Sequence, residues 1–136
     1  MQGATYIANG ASFYATNEDA RLPAGTNVLP GTGSIVSAFR VASGKEPIVF
    51  GKPHKPMFDL LCKYCDLNLS KTIMVGDNLF TDIAFGNKFG LHTACVLTGV
   101  TNQELIDKVN NTPGDELFRP EFVFQSVADI LNILKE

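Results

Sequence analysis

Short apolar runs alternate along this chain with stretches in which apolar residues recur every three or four positions, the pattern of buried strands separated by amphipathic helices. The central example is Thr72-Ile73-Met74-Val75-Gly76-Asp77-Asn78-Leu79-Phe80-Thr81-Asp82. Its first four residues are β-branched or large, which predicts a buried parallel strand over 72–75. The run breaks at Gly76 and delivers two carboxylates at the strand's C-terminal end, ahead of a helix predicted over 79–88 and stopped by Gly90. Gly86 inside that helix costs about 1 kcal/mol against alanine, so close packing is expected there.

The same patterning orders the rest. Residues 4–9 read as the last turns of a helix ending at Gly10, and residues 12–16 as a short strand closed by a turn at Asn17-Glu18-Asp19. Residues 20–32, with Pro23, Gly25, Pro30 and Gly31, read as a loop longer than the median connection. Ile35, Val36, Phe39 and Ala42 have helical spacing, with Gly44 as the stop. A strand is predicted at 48–50, a helix from about Pro56 to Cys65, and a strand over 92–97. Thr101-Asn102-Gln103-Glu104 has the spacing of a capping box before a helix with Leu105, Ile106 and Val109 on one face. After a polar loop over 110–120, Phe122-Val123-Phe124 reads as a last strand. Ser126 caps a terminal helix with the stripe Val127, Ile130, Leu131 and Leu134. Strands and helices alternating through short connections predict an α/β fold with a parallel, doubly wound sheet.

Composition narrows the function classes. The chain has 136 residues, about one domain, with 45% hydrophobic and 18% charged residues and a net charge of −3. Scattered lysines and arginines give no basic stripe, so nucleic acid is not an expected partner. No apolar run reaches the roughly 18 residues of a membrane span, and no charged-then-apolar leader opens the chain. Cys62, Cys65 and Cys95 are an odd, small set that fits a reducing, cytoplasmic setting. Cys62-Lys63-Tyr64-Cys65 is formally a C-x-x-C, the spacing of zinc or redox motifs. Its place in an apolar helical pattern with Phe58, Leu61 and Leu69 favours helix packing.

Three places could carry chemistry. Asp77 and Asp82 stand at the C-terminal end of a parallel strand, where ligands bind in open α/β sheets. Carboxylates there can hold Mg²⁺, a hard cation that keeps several waters; a helix N-terminal cap is the alternative. Lys52, at another strand end before Pro53, could neutralise a phosphate or a carboxylate nucleophile, or simply be solvated. Thr16-Asn17 marks a third strand end, with turn formation as the alternative.

Taken together, these segments resemble a known family. Gly51-Lys52-Pro53, followed by Gly76-Asp77 with Thr81-Asp82, resembles motifs three and four of the haloacid dehalogenase superfamily. Ala15-Thr16-Asn17 with Asp19, Pro30-Gly31-Thr32-Gly33 and Leu97-Thr98-Gly99-Val100 are similar to its class IIA phosphatases, the 4-nitrophenylphosphatase, phosphoglycolate phosphatase and pyridoxal phosphate phosphatase group. The resemblance runs over residues 3–136 and corresponds to the C-terminal portion of such an enzyme. It implies part of a Rossmann-like core with helices on both faces over 48–136, and a partial α/β cap over 1–47.

The resemblance also implies roles. Lys52 would stabilise an aspartyl nucleophile and the transferring phosphoryl group. Asp77 would bind Mg²⁺ directly, and Asp82 would orient the metal's waters. Asn78 would lie beside the site. Asn17, Arg21 and Leu22 would face a small phosphomonoester from the cap, with residues 18–23 as its substrate loop; Arg21-Leu22-Pro23 looks closer to the phosphoglycolate phosphatases than to the pyridoxal phosphate enzymes. Relatives of this group often pair through their caps, so a homodimer or oligomer is expected.

The sequence departs from the family at one place. No two of its aspartates are separated by a single residue, so the Asp-x-Asp nucleophile motif is absent from these 136 residues. The chain alone is therefore expected to be a poor phosphatase, and the strand over 72–75 is expected to leave an edge open to association. Three function classes remain open: a phosphatase with its nucleophile in another segment, a non-catalytic pseudo-phosphatase binding metal or anions, and a chain complemented by another.

Overall fold

The computed structural model describes residues 2–22 and 27–133. They divide into two compact units, Met1–Met57 and Phe58–Glu136. This division lies beyond the 47/48 boundary drawn from the motifs, because the strand after residue 47 pairs backward into the first unit.

In the first unit, α1 (Gln2–Ala8) lies beside α2 (Thr32–Ser43), and Phe13 meets Phe39 with ring centroids 6.3 Å apart. β1 (Tyr14–Ala15) pairs in parallel with β4 (Ile48–Val49), Tyr14 opposite Ile48 and Ala15 opposite Val49. Ala15, Val49 and Val36 of α2 form a small core with Phe13 against it. Gly44 ends α2 at φ +67, the left-handed conformation its position predicts.

Residues 20–32, expected to be a loop, contain a hairpin. β2 (Arg21–Leu22) pairs antiparallel with β3 (Leu29–Pro30), Arg21 opposite Pro30. Gly31 N–H donates to Ala20 O at 2.9 Å and Gly33 N–H to Asp19 O at 2.9 Å, extending the pairing past Pro30, which has no donor. Two-residue strands leave no alternation to read, and prolines and glycines there signal a loop. Pro23 and Gly25 of this stretch lie outside the described residues.

The second unit carries β5 (Ile73–Gly76), β6 (His92–Val96) and β7 (Phe122–Phe124) in one parallel sheet of order β5-β6-β7. The α/β architecture with parallel pairing is as the alternation predicts. The helix α3 (Lys55–Tyr64) spans the division between units, and α4 (Ala84–Phe89), α5 (Gln103–Asn111) and α6 (Val127–Ile133) follow. Leu79, Ile83, Cys95, Ile106 and Val109 form the core, with Leu97, Leu105 and Phe118 packed on it. A second apolar contact stacks Phe58 on Phe89 at 4.2 Å, with Phe85 edge-on to both.

Several local expectations need correction. The segment over 79–88 is not one regular helix: a single π-type turn at Leu79–Ile83 precedes α4, because Ile83 N–H reaches back to Asn78 O and Ala84 N–H to Leu79 O. The cap of α5 is Asn102, whose side chain accepts from Leu105 N–H at 2.9 Å, not Thr101, which is buried. Ile35, Val127 and Leu131 are exposed although they fall on apolar stripes, and Leu134 lies outside the described residues. Cys62 and Cys65 are also exposed, so helix packing does not account for them.

Candidate functional site

The site begins where β5 ends. Gly76 closes the strand opposite Cys95 of β6, and Asp77 and Asn78 leave it. Asn78 turns the chain into the π-type turn, accepting from Phe80 N–H through its side chain at 2.9 Å and from Asp82 N–H through its carbonyl at 2.9 Å. The extra residue in this turn sets where Asp82 falls. Its carboxylate is buried, 4% exposed, and Oδ2 accepts from Asn78 N–H at 3.1 Å.

Two glycines admit the two carboxylates. A Cβ on Gly76 would stand 2.2 Å from Asp82 Cγ, so only glycine leaves room for that side chain across the strand end. A Cβ on Gly99 would stand 1.7 Å from Asp77 Oδ2. Gly99 lies in the turn after β6, and the backbone there closes around Asp77: Val100 N–H donates to Asp77 Oδ2 at 2.9 Å and Thr101 N–H to Asp77 O at 3.1 Å. Sequence reasoning assigned Leu97-Thr98-Gly99-Val100 to the family pattern without a partner; the partner is Asp77. Asp77, Asn78 and Asp82 are thus brought together by one strand end and one facing turn.

Burial pushes the Cys95 thiol behind this site above its ordinary range; the Thr101 hydroxyl opposes the rise, and the charges of Asp77 and Asp82 add to it. Thr101 is buried with no ordinary hydrogen bond for its hydroxyl.

The remaining predicted residues lie in the first unit. Gly51, before Lys52, packs against the end of the β1 segment, where a Cβ would meet Thr16 O at 2.3 Å and Asn17 Cα at 3.2 Å. The turn carrying Lys52 and the turn carrying Asn17 are therefore in contact. The Lys52–Pro53 peptide is cis, and Asn17 Oδ1 accepts from Asp19 N–H at 3.1 Å. Glu18, next to Asn17, pairs with Arg40 of α2 and lies 3.6 Å from His54, two residues after Lys52. Arg21 and Leu22 are exposed on β2.

Asp77 and Asp82 offer oxygen donors alone, the chemistry a hard divalent cation takes. Each carboxylate accepts from one backbone N–H, Asp77 from Val100 and Asp82 from Asn78, and Asp82 is the buried one. Two side chains leave most positions of an octahedral ion to waters or other ligands, and among the described residues no third His, Cys, Asp or Glu completes a metal-holding group.

Residues 49–130 match the family model of HAD-hydrolase-like proteins. The chain belongs to that family. It is similar to the glycerol-3-phosphate phosphatase of Gallus gallus, at 36% identity over an alignment 140 positions long that covers 99% of this chain and 45% of the relative. Among solved structures it resembles the p-nitrophenyl phosphatase of Archaeoglobus fulgidus, with a TM-score of 0.82 and 32% identity over 96% of this chain and 49% of the other. The glycerol phosphate phosphatase Rv1692 of Mycobacterium tuberculosis, solved with magnesium, matches at a TM-score of 0.76 and 36% identity, over 94% of this chain and 37% of that one. These relatives carry phosphatase names, as the resemblance to the class IIA group implies. The chain spans about half the length of the curated relatives it matches. No helix among the described residues is long and apolar enough to cross a membrane.

Proposed function

We propose that this HAD-family chain contributes the metal-holding part of a magnesium-dependent phosphatase for small phosphomonoesters such as 2-phosphoglycolate or 4-nitrophenyl phosphate. The observation that carries this is the pair of carboxylates at the end of β5, Asp77 fixed over Gly99 by Val100 N–H and Asp82 buried over Gly76.

Asp77 would coordinate Mg²⁺ directly, and Asp82 would hold the ion's waters and keep Asn78 N–H satisfied. The bound ion would offset negative charge on a phosphate ester. Lys52 would neutralise charge on the phosphoryl group and on a carboxylate nucleophile. Asn17, Arg21 and Leu22 would meet the substrate, with Asn78 beside the reacting end. Hydrolysis would pass through an aspartyl-phosphate on a residue outside these 136, since they contain no Asp-x-Asp. That same absence favours a second reading, a non-catalytic module that binds metal and anion unless another chain complements it. Cytoplasmic location and self-association belong to the proposal as well.

Calorimetric titration of Mg²⁺ into this chain and into Asp77→Asn tests the metal site. Phosphate release from p-nitrophenyl phosphate and 2-phosphoglycolate, with Mg²⁺ or with EDTA, tests turnover. Binding that is lost in Asp77→Asn, without turnover by the chain alone, is expected. Turnover that persists in EDTA, or equal Mg²⁺ binding by the variant, would overturn the proposal.

A further inference from the structure

Cys62 and Cys65 were expected to pack into the core, and they do not. Both thiols are free and exposed, whereas Cys95 is fully buried in the core of its unit. Cys62 lies in the last turn of α3. Cys65 follows the helix by one residue, held by its N–H donating to Leu61 O at 2.8 Å. Both residues border one open concavity at the end of the helix, with Lys63, Tyr64, Asp66 and Leu67. Residues three apart on a helix project to the same side, with Cβ atoms about 5–6 Å apart. A disulfide needs about 3.5–4.5 Å. Closing that gap requires the last turn to rearrange, and there Cys65 is already outside the helix and the residues to Asn68 have no regular structure.

We propose that Cys62 and Cys65 form a surface dithiol that exchanges with small-molecule disulfides and closes to an intramolecular disulfide. One thiolate attacks a sulfur of the small disulfide, forming a mixed disulfide and releasing one thiol. The second cysteine, as its thiolate, attacks the protein sulfur of that mixed disulfide and releases the other thiol. The protein loses two protons and two electrons, and the small disulfide is reduced to two thiols. Cys95 takes no part, because burial denies the reagent access.

The test incubates the reduced full chain with oxidised glutathione and follows it by intact mass and peptide mapping, with Cys62→Ser and Cys65→Ser in parallel. The wild type is expected to lose two hydrogens and carry a Cys62–Cys65 cross-link, at least about tenfold faster than Cys95 reacts. Each single variant is expected to stop at a glutathione adduct on its remaining surface cysteine. Stable adducts on both cysteines of the wild type would overturn the proposal. So would an unreacted pair that a small thiol-labelling reagent still modifies, or reaction of Cys95 at the same rate as the pair.

Discussion

The Asp77 carboxylate rests on the Cα of Gly99, with Oδ2 where a side chain at 99 would begin. The contact joins the ends of two neighbouring parallel strands, and Val100 N–H fixes the orientation of the carboxylate at 2.9 Å. Any side chain at 99 must displace Asp77 or the turn. Gly99→Ala is therefore expected to weaken Mg²⁺ binding at least about tenfold, as misdirecting a ligand does. The chain should remain folded, because the turn after β6 is exposed. Calorimetry with Mg²⁺ beside far-ultraviolet circular dichroism checks both halves.

Gly86 makes the corresponding close contact on the helix side. A Cβ there would meet Thr93 Cγ2 at 2.3 Å and Met74 Cβ at 3.1 Å, so α4 lies almost directly on β5 and β6. Alanine in a helix gains about 1 kcal/mol over glycine, while overpacking costs about 1–3 kcal/mol. The steric cost prevails, because both obstructing side chains belong to the sheet. Gly86→Ala should lower the urea midpoint, and a raised midpoint would show that α4 can shift without cost.

Much of this architecture was legible in the chain. The apolar run before Gly76 gave β5, the aromatic triplet Phe122-Val123-Phe124 gave β7, and Gly44 and Gly90 marked helix ends because their backbone there is left-handed. The hairpin at Arg21 and Pro30 was hidden, because two-residue strands have no period and their pairing is set by α2 and the Asp19 carbonyl. The π-type turn was hidden as well: periodicity cannot distinguish it from an α-helix, and the bond from Asn78 N–H to Asp82 Oδ2 that accompanies it has no local sequence signal. The role of Gly99 depends on a contact 22 positions away in sequence, which no local pattern encodes. The exposure of Cys62 and Cys65 was hidden because the helix packs Phe58 against Phe85 and Phe89 and leaves both thiols outside that contact.

The cap of α5 separates two adjacent residues. Asn102 accepts from Leu105 N–H, whereas the Thr101 hydroxyl is buried without an ordinary partner. Asn102→Ala should cost about 1 kcal/mol, the usual value of an N-cap. Thr101→Val removes a buried hydroxyl that reaches the Cys95 thiol, a weak partner, and should cost less than Asn102→Ala. Chemical denaturation of both variants tests the assignment, and a larger loss at Thr101 than at Asn102 would reverse it.

His92 carries the pH dependence. At the start of β6, Nδ1 donates to Glu121 Oε2 at 2.6 Å and Nε2 to Ser70 O at 3.2 Å. Both partners are acceptors, so the full set of bonds requires a proton on each ring nitrogen, the cationic form. Glu121, through hydrogen bond and charge, raises the pKa of His92 above its ordinary value, the Ser70 carbonyl adds to this, and desolvation opposes it. Lys71, which borders the same surface hollow, is the nearby cation. A folded-state pKa above the unfolded one gives a contribution fully present below about pH 6.5, the unfolded value, and lost as pH rises through the folded one. Glu121→Gln should therefore lower the melting temperature more at about pH 5.5 than at about pH 9, while the His92 titration seen by NMR moves back toward the ordinary imidazole value. An equal loss at both pH values would mean that Glu121 acts through packing alone.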